Sequence, residues 1–278
     1  MGKTTMTVPS GVPITPHTMG NPPSADIPLD LDTLIVSYPK CGRTWLRSIL
    51  GKYLEIKYGI PENIMLDTKA ATRASQLLCT AFTHDGAAML EKLSYLELYY
   101  SRAGYQSKNV ILLGRDLKDT MVSAYFQATK RVNVFEGPIS EFIKSDQYGI
   151  RKLLAFYDVW MKYKTVPKRY LYVTYEDLHA TPMATVSQVL ELMGETSVDQ
   201  AALQQSLDFN DFENQKKRES ENASHTAITK AADVSDQESY KARKGKVGGY
   251  TEYLTPEDEA FIDAWVAQFQ FDFDNLKL

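Results

Sequence analysis

The sequence has few of the features that would place it in several common protein classes. It contains only two cysteines, Cys41 and Cys79, which cannot form a disulfide framework and favour a reducing compartment. It has no recognisable signal peptide and no apolar run long enough to span a bilayer. We therefore expect a cytoplasmic protein without a membrane partner.

The net charge excludes a further class. The 31 basic and 35 acidic residues give a formal net charge of −4, so the chain lacks the excess positive charge by which proteins bind nucleic acids. A hydrophobic share of 44% and a charged share of 24% are typical of a globular domain. Any site for an anion must then be a local cluster of basic side chains.

Strands and helices alternate along the central part of the chain. Apolar runs predict strands at Thr33–Ser37, Leu77–Thr83, Val110–Gly114 and Tyr170–Tyr175. Apolar residues at helical spacing predict helices at Trp45–Tyr58, Ala87–Tyr100, Leu117–Lys130, Ile139–Ser145, Ile150–Lys164, Thr181–Met193 and Pro256–Phe269. This alternation predicts an α/β fold, a single domain with a parallel sheet flanked by helices. Ligands are expected at the carboxyl ends of its strands.

Two regions differ in composition from the rest. Residues 1–28 are rich in Pro, Thr, Ser and Gly and predict an extended N-terminal arm, so that residues 29–278 form the domain. Residues 209–249 are polar and poor in apolar side chains. We expect a polar loop there, either a mobile lid or a disordered insert.

The most informative motif is Tyr38–Trp45, which follows the first predicted strand and leads into a helix. Backbone N–H groups, the helix dipole and Lys40 would attract an anion there, and Gly42 would let the backbone approach it closely. An ordinary strand-to-helix turn is the alternative, since the motif differs from the triphosphate loop G-x-x-x-x-G-K-[ST]. Cys41 is either an acidified nucleophile or a small residue that fits the turn.

Two further motifs contain basic residues. Arg115 follows the third predicted strand and Ser123 lies two helical turns later, so that together they could hold a phosphate. Arg115 could instead pair with a carboxylate at the edge of the sheet. Arg243, Lys244 and Gly245 belong to a basic, glycine-rich loop, which either closes over a phosphate or is a solvated surface loop.

Together the three motifs resemble those of the cytosolic sulfotransferase family, which has a P-loop-NTPase-like fold. The family's 5′-phosphosulfate loop, Y-P-K-[ST]-G-T-T-W, is matched by Tyr38–Trp45 at all but two positions. Its 3′-phosphate motif, R-x-P-x-D with a later Ser, is matched from Arg115 to Ser123, although Leu117 replaces the Pro. Its late motif, R-K-G-x-x-G, is matched at 243–248. A bacterial small-molecule sulfotransferase is the expected type.

The resemblance implies that 3′-phosphoadenosine 5′-phosphosulfate (PAPS) is the sulfuryl donor and that no metal takes part. The 5′-phosphosulfate would be held by the loop residues Lys40, Cys41, Gly42, Arg43 and Thr44. The 3′-phosphate would be held by Arg115, Ser123, Arg243, Lys244 and Gly245. The adenine would lie against the aromatic residues Trp45, Tyr175 and Phe209.

The resemblance also implies a catalytic base. In the family this base is a His at the end of a strand between the first two motifs, and His84 holds that position. A His there could accept a hydroxyl proton, or it could merely cap the next helix. Phe82 replaces the family's Lys two residues earlier, and Arg43 could add a cation instead. The implied mechanism is in-line sulfuryl transfer, with Lys40 stabilising the leaving oxygen.

The acceptor is expected to be a small molecule with a hydroxyl or an amine, such as a specialised metabolite. The family's dimer segment is poorly matched around 251–260, so we expect a monomer or a weak homodimer. Two alternatives stay open. One is a nucleotide-dependent small-molecule kinase of P-loop fold, which would need Mg²⁺ and ATP. The other is a non-catalytic nucleotide-binding homologue.

Overall fold

A four-stranded parallel sheet lies at the centre of the computed structural model, which describes residues 27–98, 101–220 and 247–278. Its strands are β1 (Thr33–Ser37), β2 (Thr80–Thr83), β3 (Asn109–Gly114) and β4 (Arg169–Thr174). They lie in the order β2-β1-β3-β4, and every neighbouring pair is parallel. The prediction of a parallel α/β sheet is confirmed.

The register of the sheet brings the strand ends to one edge. Val36 of β1 pairs with Thr83 of β2, and Ser37 pairs with Leu113 of β3. All residues of β1 and β3 are buried, which explains why these central strands read as apolar runs without alternation. The loops that leave the carboxyl ends of the four strands therefore lie next to one another.

Ten helices within the described residues surround the sheet. They are α1 (Arg43–Tyr58), α2 (Thr68–Ala74), α3 (Leu117–Lys130), α4 (Ile139–Lys144), α5 (Ile150–Tyr163), α6 (Tyr175–Ala180), α7 (Pro182–Leu192), α8 (Gln200–Phe209), α9 (Phe212–Ser220) and α10 (Pro256–Phe269). Helix α1 buries Leu46, Ile49, Leu50 and Tyr53 at the predicted spacing. Helix α10 begins with a capping box formed by Thr255 and Asp258.

One predicted helix is wrong. The described part of Ala87–Tyr100 contains only two short 3₁₀ segments, Met89–Glu91 and Tyr95–Leu98. The backbone between them cannot be helical, because Lys92 has a left-handed φ of 54°. The Ser94 N–H donates instead to the Glu97 carboxylate at 2.7 Å. This bond caps the start of the segment Tyr95–Leu98, so the chain begins a new short turn there and does not continue one helix.

Strand β2 begins three residues later than predicted. The Leu78 N–H donates to the Met193 carbonyl at 3.0 Å, and the Cys79 N–H donates to the Asp32 carboxylate at 2.8 Å. Because these amides bond to groups outside the sheet, the apolar residues before Thr80 do not join the ladder. Apolar character therefore marks burial here rather than strand pairing.

The polar region predicted as a loop or lid is only partly described. Its first residues end α8 and form α9, while residues 221–246 lie outside the described part, as do residues 1–26 of the predicted arm. The lid and the arm stay predictions. Among the described residues, no helix combines the length and apolar character needed to cross a membrane.

Candidate functional site

The carboxyl ends of all four strands contribute residues to one cavity of about 430 Å³. The loop after β1, the residues after β2 and β3, and the start of α6 all line it. Nine residues predicted from the sequence line this cavity: Lys40, Gly42, Arg43, Thr44, Trp45, His84, Arg115, Ser123 and Tyr175. The structure thus brings together residues that lie far apart in the chain.

The loop after β1 has the backbone of an anion site. Lys40 has a φ of 76° and Gly42 a φ of 92°, and both values lie in the left-handed region. A Cβ on Gly42 would stand 2.7 Å from Tyr175 Cδ2, so only glycine fits the space as well as the dihedral angle. Gly42 is also the N-cap of α1, and no described side chain caps that helix end. The first amides of α1 can therefore donate to an anion.

Cations surround this loop. The Lys40 Nζ lies 3.4 Å from Gln127 Oε1, and Arg115 Nη1 donates to the Lys40 carbonyl at 3.1 Å. Burial and the neighbouring charge of Arg47 lower the pKa of Arg43 to about 10. Arg43 still carries its charge at neutral pH, and it lines the cavity. A poorly hydrated cation of this kind is suited to bind an oxyanion.

Cys41 lies behind the loop and does not line the cavity. It is fully buried, and its Sγ is 3.6 Å from the Tyr157 hydroxyl. Burial raises the pKa of the thiol to about 11, so the side chain is a neutral thiol at neutral pH. This environment favours the small residue that fits the turn over the acidified nucleophile.

Arg115 connects the loop after β1 to the aromatic side of the cavity. Its guanidinium lies 4.3 Å from the centre of the Tyr175 ring, which is a cation–π distance. Among the described residues its nearest carboxylate contact is Asp119 at 4.0 Å, the limit for an ion pair. The guanidinium therefore has only a weak carboxylate contact, and Ser123 lines the same cavity.

The Asp119 carboxylate instead holds the last residue of the third motif and the chain that follows it. It accepts hydrogen bonds from the N–H of Gly248 at 2.7 Å and from that of Tyr250 at 3.0 Å. Arg243, Lys244 and Gly245 lie outside the described residues. The last residue of the third motif therefore lies beside Asp119, one helical turn after Arg115, as a phosphate site shared by the two motifs requires.

Three rings lie together at the other end of the cavity. The Trp45 ring centre is 5.6 Å from that of Tyr175 and 4.6 Å from that of His179. The Trp45 indole N–H donates to the Asn210 carbonyl at 3.0 Å. Burial, followed by the charge of Arg115, lowers the pKa of His179, so the imidazole is neutral at neutral pH. These flat rings can hold a nucleobase.

The sequence reasoning missed two members of this aromatic end. His179 lies four residues after Tyr175 on α6, one helical turn away, and this spacing could have revealed it. The Phe209 ring lies against Lys52 and Arg218 at 4.6 and 4.0 Å and is not among the cavity residues. Phe212 lines the cavity instead. The break between α8 and α9 decides this, and Asp211, whose carboxylate accepts from the Glu213 N–H at 2.9 Å, is the signal that could have revealed it.

His84 lies at the opposite end, beside the apolar residues Ala88, Met89 and Leu90. Its Nδ1 is 2.8 Å from the Ser37 carbonyl oxygen. Since a carbonyl oxygen only accepts, Nδ1 carries the hydrogen, and in the neutral ring Nε2 carries the lone pair. The contact therefore orients the imidazole and selects the tautomer that a general base needs.

Comparison with known proteins identifies the family of the chain. The chain matches the sulfotransferase domain family model over residues 30–271. It is 24% identical to cytosolic sulfotransferase 17 of Arabidopsis thaliana, and the aligned region covers 84% of this chain and 72% of that protein. It is 27% identical to sulfotransferase 1A1 of Rattus norvegicus, covering 87% and 86%.

Solved structures show the same fold. A mouse sulfotransferase, SULT7A1, complexed with PAP has a TM-score of 0.61 at 20% identity, covering 89% of this chain and 86% of that one. Retinol dehydratase in complex with androsterone and inactive cofactor PAP has a TM-score of 0.58 at 14% identity, covering 88% and 82%. The match to the family model spans nearly the whole chain. The protein therefore belongs to the sulfotransferase family and is a sulfuryl-transferring enzyme.

Proposed function

We propose that this enzyme transfers the sulfuryl group of PAPS to a hydroxyl, or an amine, of a small-molecule acceptor. One observation carries the proposal: a single cavity is lined by an anion loop, a second basic site and an oriented imidazole. The relatives are sulfotransferases, and two structural neighbours are complexes with PAP, the product that PAPS leaves behind. Both facts support PAPS as the donor.

The described residues offer suitable groups for each part of such a donor. The loop from Lys40 to Thr44 supplies amides and cations for the phosphosulfate, and Arg115 with Ser123 supplies a separate site for the 3′-phosphate. Trp45 and Tyr175 supply flat faces for the base. A second anion site beside the loop would distinguish a bisphosphorylated adenosine from AMP.

The proposed chemistry divides between two side chains. PAPS would supply a sulfuryl group joined to the 5′-phosphate through a bridging oxygen. The acceptor oxygen would bond to sulfur as the bond to the bridging oxygen breaks, and the acceptor proton would pass to His84 Nε2. The Lys40 ammonium would offset the charge that develops on the phosphate. No metal is predicted to take part.

The acceptor half of the cavity is apolar. Ala88, Met89 and Val132 line it, and Leu90 is 71% exposed beside it. Such a surface suits an apolar alcohol or phenol whose hydroxyl reaches His84. The identity of the acceptor, the cytoplasmic location and the monomer or weak homodimer stay predictions.

The proposal is tested by incubating the enzyme with ³⁵S-labelled PAPS and a panel of phenols, alcohols and amines. We expect label to appear in at least one small molecule, without added metal and with EDTA present. In parallel, the same panel with γ-³²P-labelled ATP and Mg²⁺ should give no labelled product. Transfer from ATP alone would show a kinase, and donor binding without any transfer would favour a non-catalytic homologue.

A further inference from the structure

A buried ionic cluster lies directly behind His84. The carboxylate of Asp85, the next residue, accepts hydrogen bonds from Arg102 Nε at 2.8 Å and from the Tyr105 hydroxyl at 2.9 Å. The side chains of Asp85 and Arg102 are both fully inaccessible to solvent, and Tyr105 is buried. None of the three is among the residues that line the cavity.

Stability alone does not explain this cluster. The cost of removing two charges from water offsets much of their attraction, and an apolar pair of similar size often serves equally well. Asp85 also has a left-handed φ of 48°, which is strained for a residue with a side chain, and Gly86 follows at 80°. The two hydrogen bonds hold the chain in this conformation immediately after His84.

The cluster also closes a segment of the cavity wall. Residues 86–98 follow the cluster's Asp85 along the chain and contribute Met89 and Leu90 to the cavity. Arg102 Nη1 donates to the Leu98 carbonyl at 3.2 Å. The Tyr105 ring packs edge-on against Trp160 of α5 at 5.1 Å. The ion pair thus ties both ends of an irregular segment to a rigid helix.

We propose that Asp85, Arg102 and Tyr105 form a positioning cluster for His84. The cluster fixes the backbone at His84, so that Nδ1 stays on the Ser37 carbonyl and Nε2 faces the acceptor. Its members neither take a proton nor touch a substrate. The inference rests on the proposed role of His84 as the base, and it assigns positioning residues that the motifs of the sequence do not contain.

The most direct variant is Tyr105→Phe, which removes one hydrogen bond and leaves the ring in place. Its matched control is Tyr53→Phe, because the Tyr53 hydroxyl is also buried and also donates to a carboxylate, that of Glu195, at 3.2 Å. Tyr53 lies in α1 and does not line the cavity. We expect both variants to lower the melting temperature. Only Tyr105→Phe should lower kcat, by on the order of tenfold, with an acceptor that the ³⁵S transfer assay has identified for the wild type.

A second readout follows the ring of His84 itself. Long-range ¹⁵N NMR of protein labelled at its four histidines reports the tautomer of each imidazole, and His84→Ala assigns the signal. We expect His84 to be in the Nδ1–H form in the wild type and in Tyr53→Phe. Tyr105→Phe should show a mixture of tautomers. Binding of 3′-phosphoadenosine 5′-phosphate should change by less than twofold, since the cluster lies away from the donor end.

Asp85→Asn provides a stronger version of the same test. It leaves Arg102 without a full counter-charge, so thermal unfolding must first show that the variant folds. A folded Asp85→Asn protein should lose more of the Nδ1–H form than Tyr105→Phe does. An unchanged His84 tautomer and a kcat equal to that of Tyr53→Phe would overturn the positioning cluster. Full turnover by His84→Ala would instead overturn the proposed role of His84 as the base. The tautomer measurement would then still test whether the cluster positions the His84 ring.

Discussion

The two ends of the cavity are built in different ways. At the donor end, Lys40, Arg115 and Tyr175 follow regular strands and lead into helices, so short sequence motifs determine their positions. At the acceptor end, the residues after His84 form an irregular segment held by contacts between residues 17 and 20 positions apart. The donor end is therefore a property of local backbone geometry, whereas the acceptor end depends on buried side-chain contacts.

The largest expected effect separates the two histidines of the cavity. His84→Ala should lower kcat by about 10²–10⁴-fold, the usual contribution of a general base, while the Kd for 3′-phosphoadenosine 5′-phosphate changes by less than threefold. His179→Ala should show the opposite pattern, with the Kd raised about tenfold by the loss of a ring beside Trp45. Steady-state kinetics and calorimetry check both. A parallel loss of affinity and kcat in both variants would remove the distinction between the ends.

A smaller but still large effect is expected at the anion loop. Gly42→Ala places a Cβ 2.7 Å from Tyr175 Cδ2 at a φ of 92°, so the loop must move and the Kd for the bisphosphate should rise at least tenfold. Gly59→Ala, at the other end of α1, is the control, since it has a φ of 66° but nothing within 4 Å. Both substitutions carry backbone strain of about 1–2 kcal/mol. Equal donor affinity in the two variants would show that the loop is not the anion site.

A third prediction concerns the anchor of the late basic motif. Asp119→Asn replaces one carboxylate oxygen with an NH₂ group. The side chain can then no longer accept hydrogen bonds from the backbone amides of both Gly248 and Tyr250, so the chain near Gly248 should loosen. We expect the Kd for the bisphosphate to rise about fivefold, corresponding to about 1 kcal/mol. Asp258→Asn, which weakens the buried cap of α10, should lower stability without changing donor affinity. Calorimetry that finds donor affinity unchanged in Asp119→Asn would contradict the anchor.

The last prediction concerns the stability of the fold around Lys152 rather than turnover or donor binding, on which we expect the smallest effect. Lys152 is buried on α5, its Nζ has no hydrogen-bond partner among the described residues, and burial lowers its pKa to about 8. The unfolded chain then holds the proton more tightly than the folded protein does. Stability of the wild type should therefore rise as the pH increases from about 8 towards the ordinary value for lysine, 10.5.

Lys152→Met tests this assignment at constant volume. It should raise the free energy of unfolding at pH 7 by about 2 kcal/mol, and this gain should shrink at pH 10. Lys162→Met is the control, since Lys162 lies on the same helix, is exposed and pairs with Asp158 at 2.7 Å. It should change stability by less than about 0.5 kcal/mol at either pH. Denaturant titrations that find Lys152→Met less stable than the wild type at pH 7 would contradict the assignment of Lys152 as a buried cation without a hydrogen-bond partner among the described residues.

The same contrast explains what could be predicted from the sequence. The parallel sheet and the positions of Lys40 and Arg115 follow from apolar runs that end at basic or glycine-containing turns. The placement of Phe212 rather than Phe209 in the cavity depends on the break between two helices. Asn210 and Asp211 mark that break locally, since the Asp211 carboxylate accepts from the Glu213 N–H at the start of α9. The composition of the region, which predicted one polar loop, did not reveal it.

The acceptor end could not be predicted for a different reason. Helical spacing predicted a helix after Gly86, but the left-handed Lys92 and the Ser94–Glu97 hydrogen bond exclude one. The ion pair of Asp85 with Arg102 links residues whose charges, seen in the sequence alone, are typical of a solvated loop. Its burial arises from tertiary packing against Trp160, which periodicity does not report.

The measurement that tests the central claim most directly is thermal unfolding with 3′-phosphoadenosine 5′-phosphate, beside AMP, ADP and ATP with Mg²⁺. A ligand at a hundred times its Kd adds about 2.7 kcal/mol of stability, which raises the melting temperature by several degrees. The account predicts such a rise for the bisphosphate and a much smaller one for AMP. A rise only with ATP and Mg²⁺ would contradict it, since the two anion sites would then not serve a 3′-phosphorylated donor.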